Sequence, residues 1–411
     1  MSLLTDASLL LTPNANATGK LYSIIPSNGN GDFTGTRATT ATRVNSSGLV
    51  EVTGLNMIRR DYSLGSCPNI LLEPQRTNLA LQSASFEVSN WTKLGSTITA
   101  NSTTSPSGAV DADTITRDGT SQFNPLSQAI SVTTGTTYTF SVYAKKGTNN
   151  FIQIFSASAL FTVNFFANFD LNTGVVGSVG SVSTASIQDA KNGWYRCIVT
   201  GTATGTGSSN AFSISSVNSS TAGRGQSNTL TTSVFLWGAQ LEVGSYATSY
   251  IPNTTATVTR NADVISRNNI FTNNLITAAG GTWFIELRNN IDRIGDSLSR
   301  IGIGETSSFL TNSLSLIPPG TLGRMNIVKT IAGVSTTLFV TTTTTVKISI
   351  KWNGATADVF VNGVKVVAAT LFTTTTMQFL GNSGLGAPIN INEMALFPTP
   401  LTDTQCIALT T

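Results

Sequence analysis

The side chains that most often carry catalysis are scarce in this chain. Its 411 residues include no histidine, which excludes Ser-His-Asp and Cys-His catalysis and any imidazole general base. Its three cysteines, Cys67, Cys197 and Cys406, are far apart and odd in number. They predict neither a Cys-x-x-Cys metal site nor a disulfide framework, and we interpret them as isolated thiols in or near cores. No cofactor is expected.

Paired carboxylates are the remaining route to hydrolysis, because two of them suffice to cleave a glycosidic bond without histidine. Asp111 and Asp113 alternate in a possible strand and would therefore face the same way. Glu73 and Arg76 are close in sequence, and we interpret them as charge partners. Neither pair has a sequence context typical of an acid/base pair. The sequence predicts no catalytic residue, and we expect a protein that is not an enzyme.

A calcium site is the metal centre that the acidic residues could form. Asp292, Asp296 and Glu305 share one Gly-rich stretch, and Ca²⁺ is bound by carboxylate oxygens. Their loose spacing lacks the Asp-x-Asp-x-Asp-Gly pattern of a calcium-binding loop. Because carboxylates are usually exposed to solvent, a solvated loop is the favoured interpretation.

Aromatic side chains could bind sugars by stacking on their rings. The chain has five tryptophans, Trp91, Trp194, Trp237, Trp283 and Trp352. Most of them lie in alternating strand-like segments beside large apolar residues. Since an aromatic ring contributes a large area to a sandwich interior, we expect all five to pack in cores. The sequence therefore identifies no glycan-binding residue.

Charge is low and evenly spread. Charged residues make up 10% of the chain and the formal net charge is +3, with Arg59-Arg60 the densest basic pair. No basic stripe interleaves with aromatics, so nucleic-acid binding is not expected. No apolar run approaches the roughly 20 residues of a membrane span. The first residues, Met1 to Ser8, lack the basic and apolar regions of a secretory signal, so we expect assembly in a host cytoplasm.

Strand-sized segments alternate with Gly, Asn, Pro and Ser clusters along almost the whole chain, which predicts an all-β protein built from antiparallel sandwiches. Asn362-Gly363 is typical of a type I′ hairpin turn, and Asn353-Gly354 suggests a second hairpin. Thr402 and Gln405 match a capping box, which predicts a short helix near the C-terminus.

Three regions are predicted. Residues 1–81 are too loop-rich to bury a core alone and would wrap the next domain or a neighbouring subunit. Residues 82–265 form a sandwich, and residues 266–411 form a second sandwich. A Thr-Arg strand at 257–264 echoes one at 33–44, and pairing between these two strands would join the exit of the first sandwich to its entrance.

Segments spread along the chain resemble two protein families. Residues 1–265 resemble the lead-in and carbohydrate-binding-module-like sandwich of fibre and spike proteins of tailed bacteriophages, and residues 266–411 resemble laminin-G or concanavalin-like jelly rolls. The segments that carry the first resemblance are Thr36-Arg-Ala-Thr39, Gly48-Leu-Val-Glu51, Arg60-Asp-Tyr62, Leu71-Leu-Glu-Pro-Gln-Arg-Thr-Asn-Leu79, Asn192-Gly-Trp-Tyr-Arg-Cys-Ile-Val-Thr200 and residues 234–252. Those that carry the second are Gly281-Thr-Trp-Phe-Ile-Glu286, residues 346–354, residues 357–366 and Ile391-Asn-Glu-Met-Ala-Leu-Phe397.

The resemblance implies a structural protein on the surface of a virion, a head fibre or tail fibre, with the head slightly favoured. It also implies a homo-oligomer, most commonly a trimer, attached to capsid or tail proteins through residues 1–81. The many neutral hydroxyl and amide side chains suit host-surface glycans. A capsular polysaccharide depolymerase of the same virion is the alternative, and a bacterial surface lectin is a third.

Overall fold

The computed structural model describes residues 3–120, 123, 126–156, 159–226, 229–288, 300–317, 324–343, 345–374, 376–383 and 387–411. Within these residues the chain is almost entirely β-structure, as predicted. The helices are a 3₁₀ turn at Leu3–Asp6 and the α-helix α1 at Asp403–Thr410. No helix in the described part of the chain is long and apolar enough to cross a membrane.

Thirty-three strands follow one another along the described residues. Those up to residue 155 are β1 (Leu9–Leu11), β2 (Asn16–Ala17), β3 (Lys20–Leu21), β4 (Phe33–Thr36), β5 (Ala41–Val44), β6 (Val50–Thr53), β7 (Arg59–Asp61), β8 (Asn69–Leu72), β9 (Arg76–Asn78), β10 (Thr92–Lys93), β11 (Ser96–Thr104), β12 (Val110–Arg117), β13 (Leu126–Val132), β14 (Thr137–Lys146) and β15 (Phe151–Phe155). The later ones are β16 (Phe166–Asp170), β17 (Val175–Val179), β18 (Ser183–Asp189), β19 (Trp194–Thr202), β20 (Gly207–Ser216), β21 (Ser233–Val243), β22 (Val258–Arg260), β23 (Val264–Asn268), β24 (Gly281–Leu287), β25 (Arg300–Gly304), β26 (Ser313–Ile317), β27 (Met325–Ile331), β28 (Val334–Thr341), β29 (Val346–Trp352), β30 (Thr356–Val361), β31 (Val364–Leu371), β32 (Phe379–Ser383) and β33 (Ile389–Phe397).

The strands group into two compact units, which differ from the three predicted regions. Unit 1 comprises residues 1–46, 52–75 and 261–411, and unit 2 comprises residues 47–51 and 76–260. The N-terminal stretch is therefore not an arm around the following sandwich, because most of it belongs to the same unit as the C-terminal residues.

Unit 1 is built on two large antiparallel sheets. One has the order β31-β30-β29-β24-β33-β8-β7, with β1 also paired to β33, and the other has the order β2-β3-β4-β23-β32-β25-β26-β27-β28. Side chains from both sheets fill one apolar core, which includes Leu9, Phe33, Leu72, Ile301 and Ile350. Burying such side chains provides about 1.5–3 kcal/mol each, so the N-terminal strands contribute directly to the stability of this unit.

Strand pairing explains why the N-terminal residues join unit 1. Strand β4 pairs with β23, aligning Thr36 with Val264, and β1 pairs with β33, aligning Leu9 with Leu396. Of the predicted pairing between the two Thr-Arg segments, only the contact of Val264 with Thr36 forms, because Thr259 and Arg260 pair with Thr77 and Arg76 of β9 instead. Residues 1–81 were expected to wrap the next domain or a neighbouring subunit, whereas β1 and β4 pair with C-terminal strands that satisfy their backbone groups.

The alternating apolar side chains of β24 give this strand two apolar faces, and the single α-helix of the described residues packs on one of them. In β24, Trp283 and Ile285 point into the main core, whereas Phe284 points to the opposite face and meets Phe397 and Leu409. Helix α1 covers this second apolar face. The predicted capping box is confirmed, since the Thr402 side chain accepts from the N–H of Gln405 and the Gln405 side chain accepts from the N–H of Thr402.

Unit 2 is a sandwich of two six-stranded antiparallel sheets, with the orders β10-β13-β20-β15-β16-β17 and β11-β12-β21-β14-β19-β18. Its core is rich in aromatic rings, and Phe140 contacts Phe161, Phe165 and Phe212 at centroid distances of 5.1–5.6 Å. Strands β9 and β22 pair where this unit begins and ends, with Arg76 opposite Arg260. The two ends of the unit therefore lie side by side.

The two predicted hairpin turns form, with different geometries. Asn362 and Gly363 have φ values of 46° and 80°, as a type I′ turn between β30 and β31 requires. In the turn between β29 and β30 only Gly354 has a positive φ, at 81°. There the Asn353 side chain accepts hydrogen bonds from the backbone N–H groups of Ala355 and Thr356.

Candidate functional site: a charge-balanced cleft beside helix α1

The five tryptophans are core residues, as expected. Trp91, Trp194, Trp237, Trp283 and Trp352 are between 0% and 4% exposed. The indole N–H groups of Trp91 and Trp194 donate to the backbone carbonyls of Gln82 and Thr104, at 3.1 and 3.0 Å. A buried ring cannot present a face to a sugar, so these residues stabilise the sandwiches instead.

The Asp111 and Asp113 pair is not arranged as an acid/base pair. Asp113 is buried, and its two oxygens accept hydrogen bonds from the N–H groups of Phe86 at 2.8 Å and Asn101 at 2.9 Å. Burial raises the pKa of Asp113 to about 6, helped by the neighbouring Glu87 carboxyl. Asp113 therefore fixes the backbone of two loops, which is a structural role.

The predicted pairing of Glu73 with Arg76 was wrong. Glu73 is buried and forms an ion pair with Arg59 at 2.7 Å. Arg59 also contacts Asp263, which in turn binds Arg37 at 2.8 Å. Sequence distance misled here, because the partner of Glu73 comes from the neighbouring strand β7 rather than from the residues that follow it.

Arg76 has a different environment from the one predicted. Its guanidinium lies 4.9 Å from the centre of the Tyr246 ring and donates to the Tyr246 hydroxyl at 2.7 Å. This combination of a hydrogen bond and a cation–π contact holds Arg76 within unit 2, whereas Glu73 belongs to unit 1.

The predicted acidic loop is described only in part. Asp292 and Asp296 lie outside the described residues, and Glu305 accepts a hydrogen bond from the Asn312 side chain at 3.0 Å. Within the residues that the structure describes, no group of three or more His, Cys, Asp or Glu side chains is placed to hold a metal ion. Glu305 therefore serves as a clamp between two neighbouring loop segments.

The cysteines differ in exposure. Cys197 and Cys406 are buried, and burial raises the pKa of both thiols. Cys67 is exposed, so its predicted place in or near a core was wrong. It lies in the Gly- and Ser-containing loop between β7 and β8, where the chain turns rather than packs.

A quartet of charged side chains lies on the surface of unit 1, where α1 begins. Asp358 binds Lys365 at 3.0 Å and Lys351 at 3.5 Å, and Asp403 binds Lys365 at 3.0 Å and also contacts Lys351. The four charges alternate around a closed ring. Sequence analysis missed this quartet, because its members come from three strands and the helix.

Strand register and helix packing bring the quartet together. Lys351 of β29 is directly opposite Asp358 of β30, and Lys365 of β31 is opposite Phe360. Both lysine ammonium groups lie over the Phe360 ring, at 5.7 and 5.6 Å from its centre. The α1 capping box then places Asp403 over the two lysines. The Asn353-Gly354 turn predicted this hairpin and the capping box predicted the helix, but nothing in the sequence predicted that the two would meet.

The pKa shifts of Asp403, Lys365 and Asp358 favour their charged forms. The pKa of Asp403 is lowered mainly by its hydrogen bond from Lys351, and that of Lys365 is raised mainly by its hydrogen bond to Asp403. Burial opposes ionisation of Asp358, yet the Ala369 N–H and the Lys365 ammonium lower the pKa of this carboxyl overall. Two positive and two negative charges leave the quartet without net charge.

A cleft of about 80 Å³ opens beside the quartet, lined by Lys351, Trp352, Asn353, Thr356, Asp358 and Pro400. Since one water occupies about 30 Å³ in the liquid, the cleft has room for roughly two or three waters. It offers ammonium, carboxylate, hydroxyl and amide groups within a few residues. Such a site fits the hydroxyl groups along one edge of a neutral sugar better than it fits an ion.

A second polar surface of unit 1 contains an exposed aromatic ring. Tyr22 is 39% exposed, and the Lys20 ammonium lies 5.3 Å from its ring centre. Lys20 also pairs with Asp32 at 2.9 Å, and Asp32 is fixed by the N–H of Ser23 at 3.0 Å. The candidate stacking residues identified from the sequence were tryptophans alone, so Tyr22 was not predicted.

No family model and no curated protein sequence matches this chain. Among solved structures, the receptor-binding domain of botulinum neurotoxin mosaic serotype C/D is similar at 11% identity and a TM-score of 0.28, over 36% of this chain and 39% of that one. This chain thus spans well under half of the toxin domain's length.

Domain 4 of the arabinanase AbnA from Geobacillus stearothermophilus, solved with arabinotriose, has 15% identity and a TM-score of 0.28 over 41% of this chain and 83% of that domain. The CBM40 of a Ruminococcus gnavus sialidase, bound to α2,3-sialyllactose, has 16% identity and a TM-score of 0.24 over 32% and 82% of the two chains.

Proposed function

We propose that this chain is a non-enzymatic structural protein of a bacteriophage virion, a surface fibre or spike that binds neutral glycans. Of the two positions on the particle, the head is favoured over the tail. The phage assignment is supported by the ordered motifs of residues 36–79 and 192–252. The observation that carries glycan binding is the charge-balanced cleft at Lys351, Asp358 and Thr356.

The cleft supports a neutral ligand for an electrostatic reason. Each ammonium of the quartet already has two carboxylate partners, so an anionic ligand gains little attraction and would be repelled by Asp358 and Asp403. Sugar hydroxyls both donate and accept hydrogen bonds, and they can use the remaining donor and acceptor positions of these groups without changing the balance of charge.

A glycan array of neutral and acidic bacterial polysaccharides tests the binding proposal. Thr356→Tyr should fill the cleft without removing any member of the quartet, and it should abolish binding to neutral glycans. Tyr22→Ala is the comparison variant, since the Tyr22 surface is the other candidate. Thr184→Ala, on the exposed part of β18 in unit 2, is the control that should bind as the original protein does. Retained binding by Thr356→Tyr would remove the cleft from the proposal.

Two further measurements test the virion assignment and the absence of catalysis. Gold-labelled antibodies against the protein should decorate intact phage particles, and their position distinguishes head from tail. Incubation with host capsular polysaccharide should release no new reducing ends. Their appearance would instead favour the depolymerase.

A further inference from the structure

Strand β28 is an exposed sheet edge. It forms the end of the nine-stranded sheet of unit 1, where β27 is its neighbour. Its eight residues, Val-Ser-Thr-Thr-Leu-Phe-Val-Thr, include no charge, proline or glycine, and the first four of them are exposed. Val334 is 69% exposed. A long, neutral, β-prone edge of this kind is a template for pairing with another strand.

Other edges of the two units carry features that hinder such pairing. Strand β31 is distorted at Ala369, whose φ is 48° and whose N–H is taken by Asp358. Strand β11 is distorted at Asn101, whose φ is 49° and whose N–H is taken by Asp113. Strand β7 consists of Arg59, Arg60 and Asp61. Distortions and charges are the usual protection of sheet edges. Strand β28 has no charge, and its one irregularity against β27, at Leu338, leaves Val334–Thr337 in regular register.

The β28 edge is held rigidly and has an apolar neighbour. The hairpin from β27 turns at Ala332 and Gly333, with φ values of 47° and 84°. The turn is anchored to the loop before β26, because the N–H of Ala332 donates to the Asn312 side chain and the N–H of Gly333 donates to the Thr311 carbonyl. Leu310 in that loop is 60% exposed, so apolar surface lies beside the free edge.

We propose that β28 pairs antiparallel with β28 of a second copy of this chain. An antiparallel pair of identical strands is related by a two-fold axis, so one edge supplies both the donors and the acceptors that its copy needs. Near the two-fold axis like side chains also come together, so a charge at the centre of the strand would lie close to its own copy. Val334–Thr341 has none, which makes a second copy the partner that this edge fits.

This pairing constrains the assembly independently of glycan binding. An isologous β28 contact joins subunits in pairs, whereas the phage resemblance implies three. The contact would extend the nine-stranded sheet across the interface, and the apolar side chains of Val334 and Leu310 would lose exposed surface at its ends. Loss of glycan binding and loss of pairing are therefore separable outcomes.

Sedimentation velocity and native mass spectrometry of the full chain test the proposal, with reductant present because Cys67 is exposed. We expect a dimer, and Thr337→Lys should weaken it by at least about tenfold in Kd, since the new charge would face its copy. Thr184→Lys on the edge strand β18 is the matched control and should leave the dimer unchanged. In the dimer, hydrogen exchange at residues 334–341 should be slower than in the Thr337→Lys monomer.

Three results would overturn the pairing. These are a monomer at about 0.1 mM, a trimer, or a dimer that Thr337→Lys leaves intact while Thr184→Lys disrupts it. Circular dichroism of each variant separates loss of association from loss of folding. If Thr337→Lys fails to fold, the exchange pattern of the original protein decides, and fast exchange at residues 334–341 at high concentration contradicts the proposal.

Discussion

Each unit contains a buried polar network of a different kind. Unit 1 contains the fully buried ion network of Arg37, Arg59, Glu73 and Asp263. Unit 2 contains neutral amides in a comparable place: the Gln153 side chain donates to Asn168 at 2.6 Å, and Asn168 donates to the Ala222 carbonyl at 2.7 Å. Both networks tie distant segments together. The charged one does so with stronger bonds and a larger penalty when one partner is lost.

The buried carboxylates of the two units also have different hydrogen-bond and ion-pair partners. In unit 1, Asp263 lies between two guanidinium groups, which compensate its charge. In unit 2, Asp113 is held by backbone N–H groups next to Glu87, and burial raises its pKa to about 6. At Asp113 the effect of burial therefore exceeds that of the two backbone N–H donors.

The largest expected effect is a difference in autonomy between the units. Residues 266–411 expressed alone should fail to fold, contrary to the expectation from the sequence, because β23 and β33 lose their partners β4, β8 and β1. Residues 76–260 should fold, since they contain both sheets of unit 2. Circular dichroism and proteolysis of the two fragments check this. A folded 266–411 fragment would contradict the shared core of unit 1.

The second prediction breaks the ion network. Asp263→Asn leaves Arg37 and Arg59 buried with an uncompensated charge, and we expect a loss of about 3–5 kcal/mol in the free energy of unfolding of unit 1. Urea unfolding monitored by hydrogen exchange measures each unit separately. Asp189→Asn removes an exposed pair with Lys191 and should change stability by less than about 0.5 kcal/mol.

The third prediction tests the amide network. Asn168→Ala removes hydrogen bonds to Gln153 and to the Ser220 and Ala222 carbonyls, leaving these groups buried without their partner. We expect unit 2 to lose about 2 kcal/mol, less than unit 1 loses in Asp263→Asn. Asn172→Ala, at an exposed position, is the control for urea unfolding. A loss equal to that of Asp263→Asn would remove the distinction between charged and neutral networks.

The smallest expected effect concerns pH. Because the pKa of Asp113 is raised in the folded state to about 6 from an ordinary value of 3.8, the folded state holds a proton that the unfolded state has released between these values. Unit 2 should therefore lose stability as pH rises from about 4 to 6. Asp113→Asn should flatten this slope. Thermal unfolding at several pH values measures it, and an unchanged slope would assign it to another group.

Much of the fold follows from local pattern. Period-two alternation predicted the all-β class, the Asn362-Gly363 turn fixed one hairpin, and the Thr402–Gln405 capping box located α1. These signals involve residues within a few positions of each other. The division into units was not predictable in this way, because the pairing of β1 with β33 joins opposite ends of the chain and leaves no local trace in either strand.

The candidate site shows the same limit. The hydrophobic environment of the tryptophans correctly predicted their burial, and Asn353-Gly354 predicted the hairpin on which Lys351 and Asp358 lie. The quartet needed Lys365 and Asp403 as well, which are positioned by a strand register and by helix packing. Similarly, Glu73 forms its ion pair with Arg59 and not with Arg76, because strand pairing rather than sequence distance determines which charges meet inside the core.

The interrupted composition of unit 1 also has a consequence for synthesis. Residues 1–75 are synthesised before the C-terminal strands that complete the two sheets of unit 1. All of residues 76–260 must be translated between these two parts of the unit. At typical translation rates of about 5–20 residues per second, that interval lasts roughly 10 to 40 s. Unit 2 can fold during this time, since its own strands emerge consecutively. Strands β1, β4 and β8 lack their C-terminal partners meanwhile, so nascent chains are most exposed to chaperones and to misassociation until the last C-terminal strand leaves the ribosome.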